Sequence, residues 1–110
     1  MGQSDGCDPS GRKSIVRHIC LFRLKRPLSD AENDGLRAFA IRLRAADSNI
    51  LTYRFGSNDA RKAQGYALVL YSEFSSTHAV ASYVLTSLHG ELARFMEPFV
   101  ADTIVADILV

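Results

Sequence analysis

Apolar residues recur at two different spacings in this sequence, and the order of the two spacings restricts the possible folds strongly. Spacing at every second residue, which buries one face of a β-strand, marks four segments. Helical spacing of about 3.6 residues marks two further segments, one after the first strand and one after the third. The order strand–helix–strand–strand–helix–strand predicts an α+β domain of the ferredoxin-like type (βαββαβ), with both helices on one face of a four-stranded antiparallel sheet.

The first half of the chain carries clear signals for three of these elements. Residues 15–24 alternate and predict a strand with one buried face. The residues on that face are Val16, His18, Cys20, Phe22 and Leu24. Ser29 begins the capping box Ser-Asp-Ala-Glu, which predicts a helix over about residues 30–46. Residues 51–55 alternate again, and a polar loop follows over residues 57–65.

The second half repeats the pattern with a weaker helix. Residues 66–74 form the most apolar strand, which we expect at the centre of the sheet. Ser75 or Ser76 is expected to cap the second helix. Its buried face would carry Val80, Tyr83, Val84 and Leu88. Gly90 is expected to interrupt this helix, and a short helix follows over residues 91–97.

The N-terminal residues differ in composition from the rest of the chain. Residues 1–14 contain no Leu, Ile, Val or aromatic residue, so we expect a flexible tail followed by one domain over residues 15–110. The stretch Gly-Cys-Asp-Pro-Ser-Gly-Arg-Lys-Ser in this tail looks like a phosphate-binding loop. However, Arg12 replaces the required lysine and no strand precedes the glycines.

Composition excludes several classes of partner and site. Thirteen Lys and Arg against 12 Asp and Glu leave a net charge of +1, which argues against nucleic acid as a partner. Two cysteines, Cys7 and Cys20, are too few for a disulfide framework or a structural zinc site. No apolar run approaches the ~20 residues of a membrane span, and no signal-peptide or myristoylation pattern is present, so we expect a cytoplasmic protein with no membrane partner.

Three histidines are candidates for chemistry. His18 is the one ionisable residue on the inward face of the first strand, where a core histidine bonded to the backbone is the ordinary interpretation. His78, in the first turn of the second helix, is expected to be solvated. His89 precedes Gly90, where we expect the chain to bend, and segments held between rigid elements often carry catalytic groups.

The last predicted strand, residues 101–110, contains a carboxylate among apolar neighbours. This carboxylate is Asp107, flanked by Ala106 and Ile108. If Asp107 faces inward, its burial costs several kcal/mol unless it is paired, and a histidine is an obvious partner. If it faces outward, it is an edge charge that discourages unwanted strand pairing. The spacing leaves both alternatives open.

Four segments in order resemble the stress-responsive α/β-barrel (Dabb) family, and the likeness extends over about residues 15–110. The segments are Val16–Lys25, Gly65–Phe74, the stretch from Tyr83 through His89 to Phe95, and Val105–Asp107. The third of these is similar to the family's signature Y-x-x-H-P-x-H-x-x-F.

The resemblance implies a homodimer whose two sheets meet as an α+β barrel, and it is to the polyketide cyclase branch of the family. In that branch a histidine acts as general acid and base for an intramolecular aldol closure, a carboxylate orients it, and a tyrosine binds the substrate carbonyl. These roles fall on His89, Asp107 and Tyr83, and a first-strand histidine of the branch matches His18. This chemistry calls for no metal or organic cofactor.

Two departures from the family pattern point to a different substrate or reaction. Thr86-Ser87 stands where the family has His-Pro, and Leu68 stands where the cyclase branch has another histidine. The cavity expected between sheet and helices is therefore less polar, and it suits a flexible, partly apolar small molecule. The candidate walls are Phe22, Leu36, Phe39, Leu68, Val84 and Phe95, most of which we expect to be ordinary core.

Three hypotheses for function remain open from the sequence. The first is a small cofactor-independent cyclase or lyase that acts on a polyketide-like or β-dicarbonyl substrate. The second is a non-catalytic, stress-responsive dimeric scaffold or ligand carrier, and the third is a cofactorless oxygenase. Dimerisation is expected on physical grounds as well, because the apolar last strand leaves an edge and a face that need cover.

Overall fold

The computed structural model describes residues 14–110, and the predicted N-terminal tail, apart from Ser14, lies outside the described residues. In chain order the elements are β1 (Val16–Leu24), α1 (Asp30–Ala46), β2 (Ile50–Ser57), β3 (Leu68–Phe74), α2 (Thr77–Tyr83), α3 (Ser87–Met96) and β4 (Val100–Leu109). The predicted ferredoxin-like order is confirmed, with the second helical segment divided into α2 and α3. Within this part of the chain, no helix is long and apolar enough to cross a membrane.

The four strands form one antiparallel sheet in the order β2-β3-β1-β4. The prediction that the apolar strand β3 lies at the centre is confirmed, and β2 and β4 form the edges. In the ladder between β1 and β4, His18 lies directly opposite Asp107, and Cys20 lies opposite Val105. Directly opposed side chains share a face of the sheet, so these four residues lie on one face.

Helix α1 begins where the capping box predicts. The Ser29 hydroxyl accepts a hydrogen bond from the Glu32 N–H, and the Glu32 carboxylate accepts one from the Ser29 N–H. The Arg26 guanidinium binds the same carboxylate through both nitrogens, at 2.8 and 2.7 Å. These bonds, that of Arg26 first, lower the pKa of Glu32 to about 2. The helix therefore has a fixed start, from which it buries Leu36, Ala40 and Leu43.

The second helical segment breaks earlier than the sequence predicts. Helix α2 ends at Tyr83 and α3 begins at Ser87, so that Gly90 lies inside α3. The Thr86 hydroxyl donates to the Tyr83 carbonyl and accepts from the His89 N–H. The predicted interruption at Gly90 was wrong, because this hydroxyl ends one helix and caps the next, and a glycine offers no such group.

One hydrophobic cluster joins the inward face of the sheet to all three helices. Its most deeply buried hydrophobic side chains are Leu36, Leu43, Tyr53, Leu70, Phe74, Tyr83 and Phe99. On the other face of the sheet, Ile104 and Ile108 of β4 lie opposite Leu21 and Arg17 and are about half exposed. The helices thus cover one face, and the other face presents apolar side chains to the outside.

Gly35→Ala in α1 is expected to destabilise the protein, although alanine is the better helix former by about 1 kcal/mol. A β-carbon at position 35 would collide with the ring of Phe95. That ring cannot move aside easily, because it packs between Phe39 and Phe99 at centroid distances of 5.4 and 5.9 Å. Overpacking costs about 1–3 kcal/mol, so urea unfolding should show a lower free energy of unfolding than the parent protein.

Gly90→Ala in α3 is the matched control. A β-carbon there meets only the Arg94 guanidinium, at 3.6 Å. The helix-propensity gain should therefore remain and raise the free energy of unfolding by about 0.5–1 kcal/mol. Equal stabilisation by the two substitutions would contradict the packing described for Gly35.

Candidate active site

A cavity of about 600 Å³ lies between the inward face of the sheet and helices α2 and α3. Its walls are mostly apolar and include Phe22, Phe55, Leu70, Val80, Leu92, Met96, Val100 and Val105. Its polar side chains include His18, Cys20, Tyr53, Tyr83, His89, Thr103 and Asp107. A largely apolar cavity of this size, with a few convergent polar groups, is typical of small-molecule sites.

His18 and Asp107 form a hydrogen-bonded pair at this cavity. The strand register places them opposite each other, and His18 Nδ1 lies 2.5 Å from Asp107 Oδ1. The histidine side chain is 9% exposed and the carboxylate 49%. An ionised carboxylate can only accept, so Nδ1 carries the proton and Nε2 of the neutral ring keeps its lone pair.

The Cys20 thiol lies beside that second ring nitrogen. Cys20 Sγ is 3.5 Å from His18 Nε2, and the two residues stand two positions apart on the same face of β1. Burial, and then the charge of Asp107, raise the pKa of Cys20 to about 11. The thiol is therefore protonated at neutral pH and donates to Nε2.

Two buried phenols share a hydrogen bond at the same cavity. The hydroxyl oxygens of Tyr53 and Tyr83 are 2.6 Å apart, and each residue is 2% exposed. Burial raises the pKa of Tyr83 to about 12, and burial together with the charge of Tyr83 raises the pKa of Tyr53 further. Both phenols are thus protonated at neutral pH. One of them donates to the other, and the accepting phenol keeps its own O–H for a ligand.

His89 lies against the ring of Tyr83. It occupies the first turn of α3, and its imidazole contacts the ring of Tyr83 edge-on, with centroids 4.7 Å apart and an interplanar angle of 78°. The ring of His18 is 6.1 Å from the same phenol ring. Burial, and then the charge of His18, lower the pKa of His89. Tyr83 therefore has two imidazoles near its ring, and burial favours the neutral form of His89.

The structure brings six of the candidate site residues to this one cavity. They are His18, Phe22, Tyr83, Val84, His89 and Asp107. The expected pairing of Asp107 with His89 was wrong, because the strand register sets the carboxylate against His18 instead. Of the two orientations left open for Asp107, the inward one is correct.

Three other predicted wall residues lie elsewhere. Phe39 of α1 and Phe95 of α3 pack against each other across the contact between these helices, at a centroid distance of 5.4 Å. Leu68 lines a second cavity of about 350 Å³, together with Leu36 and Leu28. Their prediction as walls of the site was wrong, because apolar spacing identifies an inward side chain without showing which part of the interior it reaches.

Cys20 and Tyr53 are cavity residues with reactive or polar side chains that the sequence analysis did not assign to the site. Cys20 was considered only as a disulfide or metal ligand, although the alternation in β1 places it on the same face as His18. Tyr53 lies in the alternating segment of β2, where its buried position was the available signal. Among residues 14–110, no group of three or more His, Cys, Asp and Glu side chains could hold a metal ion.

Comparisons with known proteins identify the fold and the family pattern. The sequence model of the Stress Responsive A/B Barrel Domain family (Dabb) matches residues 16–110. No curated protein matches the chain. Among solved structures, a Dabb family protein with a ferredoxin-like fold from Mesorhizobium loti has a TM-score of 0.71 at 19% identity, with 89% of this chain and 98% of that chain covered.

Two further structures have the same fold. A hydroxynitrile lyase from Passiflora edulis has a TM-score of 0.73 at 22% identity, and the match covers 87% of this chain and 93% of that chain. A dimeric ferredoxin-like protein of unknown function from Thermobifida fusca has a TM-score of 0.72 at 20% identity, with 88% and 92% covered. At these identities the likeness shows the fold alone.

The pKa of His89 is expected below the ordinary histidine value of about 6.5, and NMR titration of the ring resonances measures it. His18→Gln removes the second of the two causes and should raise the pKa of His89 part of the way back. The unfolded chain takes up this proton first as the pH falls, so the free energy of unfolding should decrease from about pH 6.5 down to the folded-state pKa. A midpoint at or above the ordinary value would contradict the burial of this ring.

Proposed function

The chain belongs to the stress-responsive A/B barrel (Dabb) family, and we propose that it is a cofactor-independent lyase or cyclase that acts on a β-dicarbonyl or polyketide-like substrate by aldol-type chemistry. The observation that supports this proposal most strongly is the hydrogen-bonded His18–Asp107 pair, with a buried histidine, at the wall of an apolar cavity that also holds the Tyr83 phenol. These groups supply a base, a group that orients the base, and a hydrogen-bond donor.

His18 is the base in this proposal. Asp107 holds the ring proton on Nδ1, so Nε2 has the lone pair that takes a proton from a carbon next to a carbonyl, once the substrate displaces the weak Cys20 donor. An imidazole is suited to this task because its pKa lies near neutral pH, and the carboxylate stabilises the imidazolium that forms. The family resemblance gave this role to His89, and the observed pairing of Asp107 moves it to His18.

Tyr83 is the donor for the developing enolate oxygen. Tyr53 donates to Tyr83 in this scheme, which leaves the O–H of Tyr83 for the substrate. A fixed donor in a site with little water stabilises an oxyanion without reorganising during the reaction. His89, neutral and in contact with the Tyr83 ring, offers a further N–H to a second carbonyl.

The reaction balances with these groups alone. The proton moves from the substrate carbon to His18 Nε2, and the enolate carbon attacks a second carbonyl of the same chain. Nε2 then returns the proton to the new alkoxide oxygen. The apolar walls suit the hydrocarbon part of such a substrate, and the hydroxynitrile lyase named above is a lyase on this fold.

A homodimer is part of the proposal. Three of the similar structures are described as dimeric proteins of unknown function with a ferredoxin-like fold. The sheet face away from the helices carries Ile104 and Ile108, at 46% and 50% exposure, and a second copy of this face would cover them. A cytoplasmic location and a small-molecule partner remain predictions.

His18→Gln and Asp107→Asn are expected to lower kcat for aldol closure of a β,δ,ζ-triketo thioester by about 100- to 10,000-fold, the usual contribution of general acid–base catalysis. Product formation is followed by liquid chromatography with mass detection. His78→Gln, which changes an exposed histidine of α2 outside the cavity, is the matched control and should keep the parent rate.

The same experiment separates the enzyme from the ligand carrier. Parent-level turnover in His18→Gln would remove His18 from the mechanism. Binding of the thioester without any turnover, measured by titration calorimetry on the parent protein, would favour the carrier.

Ile104→Lys is expected to convert the dimer to a monomer at micromolar concentration, because it places a charge in the proposed apolar interface. Light scattering measures the mass. Ile41→Lys is the matched control, since Ile41 lies on α1 and is 70% exposed, and it should leave the dimer intact. A monomeric mass for the parent protein would overturn the homodimer.

A further inference from the structure

Cys20 is a nucleophile at the cavity that the proposed cyclisation does not use. Its Sγ lies 3.5 Å from His18 Nε2, and the other ring nitrogen of His18 lies 2.5 Å from Asp107 Oδ1. All three side chains contribute to the wall of the 600 Å³ cavity. A thiol, an imidazole and a carboxylate in this order make an activated nucleophile, with its base and the group that orients the base.

We propose that Cys20 is a covalent binding site for neutral α,β-unsaturated carbonyl compounds that enter the cavity. The thiol proton moves to His18 Nε2, and the sulfur attacks the β-carbon of the ligand. An S–C bond forms as the carbon–carbon π bond breaks, which leaves an enolate. His18 Nε2 then returns the proton to the α-carbon, so the product is a saturated thioether and no other reactant is consumed.

The surroundings of the thiol require assistance from His18. A buried thiolate next to a carboxylate is unfavourable, so the sulfur does not react as a free anion at neutral pH. Transfer of the proton to His18 places an imidazolium between the thiolate and Asp107, and each anion then has a cationic neighbour. Asp107 therefore opposes direct ionisation of Cys20 but supports ionisation through His18.

The walls of the cavity determine the class of ligand. They are mostly apolar, and the carboxylate of Asp107 repels anions. The hydroxyl pair of Tyr53 and Tyr83 retains one O–H for the enolate oxygen that forms during the addition. These groups favour a neutral enone with a hydrocarbon substituent over a charged thiol reagent.

The test uses Cys7→Ser protein, in which Cys20 is the sole cysteine. The protein is incubated with benzylideneacetone, a neutral aryl enone, and intact mass is followed with time. We expect one adduct per chain, mapped to Cys20 by peptide analysis and absent from Cys7→Ser/Cys20→Ser. His18→Gln should lower the rate by on the order of 100-fold. For each reagent, the rate with folded protein is divided by the rate with urea-unfolded protein. This ratio should be far smaller for iodoacetate, which is anionic, than for the enone.

Asp107→Asn gives the sharper result. If Cys20 reacts through His18, loss of the carboxylate slows the addition. If the sulfur reacts as a bare thiolate, loss of a neighbouring negative charge makes the addition faster, and the inference is overturned. If His18→Gln does not fold, Asp107→Asn still tests the inference.

Failure of this inference can be distinguished from failure of the proposed function. An unmodified folded protein, with rapid modification once it is unfolded in urea, overturns the covalent site. Closure of the β,δ,ζ-triketo thioester is measured on the same preparation. Turnover without an adduct would leave the proposed function standing, and an adduct without turnover would leave the covalent site standing.

Discussion

The pairing of β1 with β4 determines what the cavity can do. Antiparallel register sets His18 opposite Asp107, and a shift of one residue would turn the carboxylate to the other face of the sheet. The hydrogen bond of 2.5 Å offsets much of the cost of holding a carboxylate beside an apolar cavity. It also fixes the tautomer of His18, because a proton held on Nδ1 leaves the lone pair on Nε2. Both the proposed base and the proposed activation of Cys20 depend on this one contact.

Polar residues line the cavity at strand positions where the local pattern favours apolar residues, and these exceptions point to function. An acid within β4 and a histidine on the inward face of β1 both weaken a strand that apolar residues would strengthen. Natural sequences break such rules mostly at functional or strained sites. Tyr53 and Tyr83 add a second buried polar pair within the same cluster. The concentration of these exceptions at a single cavity, in an otherwise regular sheet and helix layer, is the reason for assigning chemistry to it.

Local patterns predicted the elements well, and long-range contacts could not be predicted in the same way. The capping box at Ser29 and the alternation in β1 depend on neighbours in the chain, and both are confirmed. The partner of Asp107 depends on the register between β1 and β4, which joins residues 89 positions apart, and the sequence offers three histidines as partners. The break at Thr86 was missed because glycine is the stronger signal for a helix end, whereas the threonine hydroxyl satisfies the backbone groups of two helices at once.

Nε2 of His18 is the atom that both proposed reactions require, and it can serve only one of them at a time. At rest it accepts from the Cys20 thiol, a weak donor that a substrate carbon must displace before its own proton can be removed. A thioether on Cys20 would place its substituent next to Nε2 and so hinder the approach of a second ligand to this nitrogen. Covalent capture and cyclisation would then exclude each other, although the same carboxylate supports both. One hydrogen-bonded pair at the cavity thus gives this small sheet one base with two competing uses.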